Sequence, residues 1–134
     1  MLTDKKIAND KERLLSLKDG WDGDPDNKAF NPAFVERVAE AAQRMLDGTG
    51  FRPILFPDDH DEIDVEIHAR KFDILATFGD DGTGGVYARE KQNGGKEVEV
   101  DGTCADVEAT IIKFINDEMA GKISRLRRNS INIT

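Results

Sequence analysis

An α+β domain, with N-terminal and C-terminal helices packed on one face of an antiparallel β-meander of about five strands (α-α-β-β-β-β-β-α), is what the sequence predicts. Three observations predict it. Apolar residues recur at three- and four-residue steps in the first fifty positions, the period changes to two from Phe51 onward, and it returns to helical spacing after Thr103. Short Gly- and Asn-containing connections between the period-two segments favour antiparallel neighbours, because parallel pairs need long crossovers.

Residues 2–18 read as the first helix, with Thr3 or Asp10 as the N-cap, Ile7, Leu14, Leu15 and Leu17 as its apolar positions and Gly20 as its stop. A loop rich in Asp, Gly and Pro follows over residues 21–29. Asn31-Pro32 then supplies an N-cap and a proline at the first helical position, where its missing N–H costs nothing. Phe34, Val35, Val38, Ala41, Ala42, Met45 and Leu46 form one stripe on the second helix, which is expected to end at Gly48.

Residues 53–57 read as a short strand whose two prolines suit an edge. In residues 62–69, Ile63, Val65, Ile67 and Ala69 share one face and Glu62, Asp64, Glu66 and His68 the other. Phe72, Ile74, Ala76 and Phe78 repeat the pattern after a tight Arg70-Lys71 connection, and residues 79–82 turn the chain toward a strand over 86–91. Asn93-Gly94 signals a type I′ hairpin returning residues 96–100. Thr103-Cys104-Ala105-Asp106 has the form of a capping box, and Val107, Ile111, Phe114, Ile115 and Met119 make a third amphipathic helix ending near Gly121.

At 134 residues the chain has the size of one domain with one core. Residues 1–121 are taken as that domain and residues 122–134 as a basic C-terminal tail, expected to fray, with contact to phosphate or an acidic neighbour as its other reading. The net charge is −8, and residues 1–121 carry all 27 acidic but only 15 of the 19 basic side chains. A body so acidic repels nucleic acid, whose binding rests largely on phosphate neutralisation, so direct binding of DNA or RNA by the folded part is not expected. Cys104 is the one cysteine, which rules out an intramolecular disulfide and a thiolate metal cluster and fits a reducing, cytoplasmic setting. No apolar stretch approaches the roughly 18 residues of a membrane span, and no signal-peptide core follows Met1.

Residues 57–66 hold six carboxylates in ten positions: Asp58, Asp59, Asp61, Glu62, Asp64 and Glu66. Unpaired like charges at about 4 Å cost roughly 1 kcal/mol even in water, so this ribbon either stays hydrated or meets a basic partner. Alternate strand residues lie about 6.6 Å apart, the same order as successive phosphates of a nucleic-acid strand, so Glu62, Asp64 and Glu66 can mimic a short phosphate run. The six acids are the expected partner-binding residues, and a basic protein the expected partner.

Leu14 to Leu17, then Gly20-Trp21-Asp22-Gly23, a helix, Pro53 and Pro57, Ile63-Asp64-Val65-Glu66-Ile67 and Gly85-Val86-Tyr87 follow one another in an order similar to a group of small uncharacterised bacterial and phage proteins marked by a Gly-Trp-Asp-Gly loop. The similarity spans residues 10–118. The chain differs from that group in having His60-Asp61-Glu62 in place of a glycine-rich turn, Glu66-Ile67 in place of a Glu-Trp pair, and Asp24-Pro25-Asp26 in place of Ala-Pro. The resemblance implies an α+β fold and no established chemistry, with Trp21, Asp22 and Gly23 as a structural loop.

Other motifs have plainer readings beside them. Asp22, Asp24 and Asp26 alternate as in a calcium loop, but Asn27 stands where glycine is required and Ala33 where a bidentate Glu belongs, so an Asx-rich turn anchored by Trp21 in the core is expected. Asp58 with Glu66 and His68 faintly resembles a magnesium-nuclease pattern without its lysine. His60 and His68 flank the acidic strand and read as surface histidines rather than metal ligands. Cys104, in the first turn of a helix where its pKa could fall, has no base nearby in sequence and reads as a structural thiol. Residues 79–85 lack the Gly-Lys-Thr/Ser ending of a phosphate loop and read as a turn. No catalytic residue, metal or cofactor is expected. The leading function is a non-enzymatic inhibitor of antitoxin, immunity or phage anti-defence (anti-CRISPR) type. The alternatives are a metal-dependent enzyme or metal-binding protein using the Asp-rich loops, and a structural module that forms homo-oligomers.

Overall fold

The computed structural model describes residues 3–59 and 61–131, the last ten as backbone only. Three α-helices, α1 (Lys5–Leu15), α2 (Pro32–Thr49) and α3 (Cys104–Ile131), frame five strands, β1 (Ile54–Pro57), β2 (Glu62–His68), β3 (Phe72–Gly79), β4 (Thr83–Glu90) and β5 (Glu97–Thr103). The strands form one antiparallel sheet in sequence order, β1-β2-β3-β4-β5, and every connection is a hairpin. The expected α+β meander is therefore the observed fold.

Strand alternation decides which face is covered. Ile63, Val65 and Ile67 of β2, Phe72, Ile74, Ala76 and Phe78 of β3, and Val86 and Ala88 of β4 are all buried beneath the helices. Helix α1 packs on β1, α3 on β3, β4 and β5, and α2 lies against both helices. The stripe of α2 is buried at Phe34, Val35, Val38, Ala41, Ala42 and Met45, while Val107, Ile111, Phe114 and Ile115 of α3 fill the same core. Each of the Phe, Ile, Val and Met side chains among these stabilises the fold by about 1.5–3 kcal/mol relative to an exposed one. An aromatic run joins the layers: the Phe51 ring meets Phe72 at 5.2 Å, and Phe72 meets Phe114 edge-on at 5.9 Å.

Several element ends differ from expectation. Asp4 caps α1, its carboxylate accepting from the N–H groups of Lys6 and Ile7, while Asp10 is engaged elsewhere. Leu15 is exposed. Gly48 lies within α2, which stops at Gly50, a left-handed residue (φ 81°) whose N–H returns to the Leu46 carbonyl. The turn after β4 is not type I′. Gly94 alone has positive φ there, and the Gln92 carbonyl accepts from Gly95 N–H across a turn with Gly94 in third place, so Asn93 keeps an ordinary backbone. The capping box is reciprocal, with Thr103 N–H donating to Asp106 Oδ2 and Asp106 N–H to Thr103 Oγ1, each at 3.1 Å. Helix α3 does not end near Gly121 but continues to Ile131, because one glycine costs only about 1 kcal/mol and no proline follows it. The side chains of Lys122, Arg125, Arg127 and Arg128, like Leu2 and His60, lie outside the described residues. Among those residues no helix is long and apolar enough to cross a membrane.

Candidate functional site

The sheet's other face is left open, and strand register arranges it in rows. One row runs Phe56, Asp64, Thr77, Gly85, Asp101; the next runs Ile54, Glu66, Leu75, Tyr87, Glu99; the third runs His68, Asp73, Arg89, Glu97. The covered-face residues of β2 are apolar and the open-face ones charged, so burial of Ile63, Val65 and Ile67 forces Glu62, Asp64 and Glu66 outward.

A groove of about 1110 Å³ lies along the first two rows. Asp61, Glu62, Asp64 and Glu66 line it from β2 and the turn before it, Glu99 and Asp101 from β5, and Asp81 from the β3–β4 turn, with no Lys, Arg or His among the lining residues. Its floor includes Gly79 and Gly85. A Cβ at Gly85 would stand 2.6 Å from Asp101 Oδ1, so the missing side chain lets that carboxylate lean over the trough.

Charge is graded along the face. At one end carboxylates are matched: His68 Nδ1 lies 2.9 Å from Asp73 and Nε2 2.8 Å from Glu66, and Arg89 and Lys91 both approach Asp73 at 3.5 Å. The hydrogen bonds from Asp73 and then Glu66 hold the imidazole pKa above its ordinary value, and His68 in turn lowers that of Asp73. At the other end carboxylates meet one another. Burial pushes the Asp64 pKa up to about 6, with a contribution from the Asp58 carboxyl beside it, although the Thr77 hydroxyl donates to Asp64 Oδ1 at 2.9 Å and works against the rise. Glu62 is raised as well, first by burial and then by Asp58, Asp59 and Asp61. Carboxylates held this way gain from a cation placed among them.

Of the six acids expected to act together, Asp61, Glu62, Asp64 and Glu66 line the groove, and Asp58 and Asp59 sit in the β1–β2 connection where their charge reaches Glu62. Sequence reading missed Asp81 and Asp101, and it missed the apolar part of the face. Ile54, Phe56 and Leu75 are 41%, 38% and 44% exposed, and Tyr87 stands beside Leu75 in the same row. The Val-Glu-Val-Asp alternation of residues 98–101 pointed to Asp101.

The remaining motifs are held by local contacts. Trp21 is half-buried rather than in the core: it stacks on Phe30 at 5.6 Å, and its Nε1–H donates to the Lys28 carbonyl at 2.9 Å. Asp22 adopts φ 63°, Gly23 N–H donates to the Gly20 carbonyl, and Asp24 Oδ1 accepts from Asp26 N–H, which closes the loop on itself. Residues 79–83 form a turn in which Asp81 Oδ1 accepts from both the N–H and the hydroxyl of Thr83. The Cys104 thiol faces the Thr83 carbonyl at 3.4 Å, and burial raises its pKa instead of the helix lowering it. Among the described residues no three His, Cys, Asp or Glu side chains converge in a metal-binding arrangement. Comparison with protein-family models, with curated proteins and with solved structures finds no match.

Proposed function

We propose that this chain is a non-enzymatic interaction module that binds a basic, nucleic-acid-binding protein through its open sheet face, acting in a cytoplasmic setting as an antitoxin, immunity or anti-defence inhibitor. The observation that carries the reading is the groove lined by seven carboxylates and by no Lys, Arg or His; of the seven, Glu66 alone is met by His68 at the rim. Asp64 and Glu62 are held there against burial and the charge of neighbouring carboxylates, Asp58 foremost, so a Lys or Arg inserted among them relieves an unfavourable arrangement while making charge-assisted hydrogen bonds.

The exposed Ile54, Phe56 and Leu75 beside those acids favour a protein over a free cation. Interfaces combine desolvated apolar or aromatic anchors with surrounding charge, and such a strip offers nothing to an inorganic ion. Complementary charge also speeds encounter and makes it salt-dependent.

The test is capture of partners by the tagged protein from nuclease-treated host lysate, at low and high salt, with Glu62→Lys/Asp64→Lys/Glu66→Lys as control. A stoichiometric basic protein released by high salt and absent with the control is the expected result. Unaltered capture by the charge-reversed protein would sink the reading.

A further inference from the structure

The two edges of the sheet are built differently. At β1, Asp58 N–H donates to the Glu62 carbonyl, so the even-numbered residues bond to β2 and Pro53, Leu55 and Pro57 turn their peptide groups outward. The two prolines have no N–H. The Leu55 N–H donates to Asp10 Oδ2 at 3.0 Å, and the Leu55 carbonyl accepts from Arg13 at 3.1 Å. No outward donor of this edge is left for another strand.

At β5 the parity is the same, but the outward peptide groups belong to residues of the open face. The Lys96 carbonyl accepts from Glu90 N–H at 2.9 Å and Cys104 N–H donates to the Gly82 carbonyl at 2.8 Å, so the even-numbered residues bond to β4. Glu97, Glu99, Asp101 and Thr103 face outward, and Asp106 takes the Thr103 N–H. Strand β5 ends the sheet, so among the described residues no strand lies beside the peptide groups of Glu97, Glu99 and Asp101. Their side chains stand on the acidic open face. A second copy paired antiparallel about Glu99 would set Glu99 against Glu99 and Glu97 against Asp101, and like charges directly opposite are destabilising. The edge thus rejects itself and fits the opposite charge.

We infer that β5 accepts an extended segment of the partner as a sixth strand, with Lys or Arg at the alternate positions opposite Glu97, Glu99 and Asp101. Apolar residues between them would lie on the side of Val98 and Val100, which pack against the core. This rests on the acidic-face reading and adds a backbone mode of recognition to it.

The probe is an eight-residue peptide alternating lysine and valine, compared with the same peptide N-methylated at its lysines. Both have the same charge, but the second cannot donate to β5. Amide hydrogen exchange of the whole chain is followed by NMR. With peptide at ten times Kd, the Glu97, Glu99 and Asp101 amides are expected to slow about tenfold, an effect lost with the methylated peptide. Glu99→Pro, which deletes an outward N–H and leaves the β4 ladder intact, should weaken binding more than Glu99→Gln, which deletes only charge. Equal binding of both peptides without protection of these amides overturns strand addition and leaves the acidic-face reading standing. Binding of neither overturns both.

Discussion

Replacing Asp64 by Asn should make the protein more stable and its partner binding weaker. The Asp64 carboxyl has its pKa raised from an ordinary 3.8 to about 6, chiefly by burial. Below pH 3.8 the group is protonated whether folded or not and imposes no penalty. As pH rises toward 6 the unfolded chain ionises first, so stability is lost across that window and the loss is complete above it. The shift corresponds to about 3 kcal/mol at 1.36 kcal/mol per unit, and because Asp64 is only half-buried, solvent screening leaves about 1 kcal/mol. An asparagine oxygen still accepts from the Thr77 hydroxyl, and its amide can donate to the Asp58 carboxylate. Thermal unfolding should then show Asp64→Asn raising Tm by about 3 °C at pH 7.5 and by nothing at about pH 3. A lowered Tm at pH 7.5, or a difference independent of pH, would refute the electrostatic reasoning.

Asp10→Ala removes the acceptor of the Leu55 N–H and should cost about 1–2 kcal/mol in urea unfolding, since the part-buried donor is left unmatched; an unchanged midpoint would show that water replaces the carboxylate freely. His68 has a folded pKa above 6.5, so it stabilises at low pH and loses that contribution as pH rises through the folded value. His68→Gln should accordingly lower Tm at pH 5.5 and leave it little changed at pH 9. Thr103→Ala breaks the capping box of α3 and should cost about 1 kcal/mol in the same unfolding assay.

Periodicity exposed most of the architecture. The alternation of residues 62–69 fixed both the burial of Ile63, Val65 and Ile67 and the outward set of Glu62, Asp64 and Glu66, because a one-residue slip would exchange the two. Element ends were less legible, since they depend on long-range partners: Asp10 could be recognised as something other than a cap only once Leu55 stood beside it. The open face was half legible. Its acids announced themselves by clustering, but Leu75 sits in a segment whose apolar neighbours alternate inward, and its exposure depends on the absence of anything packed above it. Asp81 joins the groove through a hairpin turn, and Glu99 and Asp101 through the meander, so their convergence on Asp64 follows from topology rather than spacing. The prolines of residues 53–57 marked one edge, but which peptide groups β1 and β5 turn outward follows from strand register and not from any local pattern.

The most direct test of the acidic-face account is calorimetric titration of the captured basic protein into two charge-reversed variants of equal net charge. One carries Glu62→Lys/Asp64→Lys/Glu66→Lys on the open sheet face, the other Glu12→Lys/Glu40→Lys/Asp47→Lys on exposed helix positions. The account predicts that the sheet-face variant loses binding while the helix variant binds like the wild type, and that wild-type affinity falls as added salt shortens the screening length from about 10 Å at 0.1 M. Equal weakening of both variants would show that only net charge matters and would contradict the account.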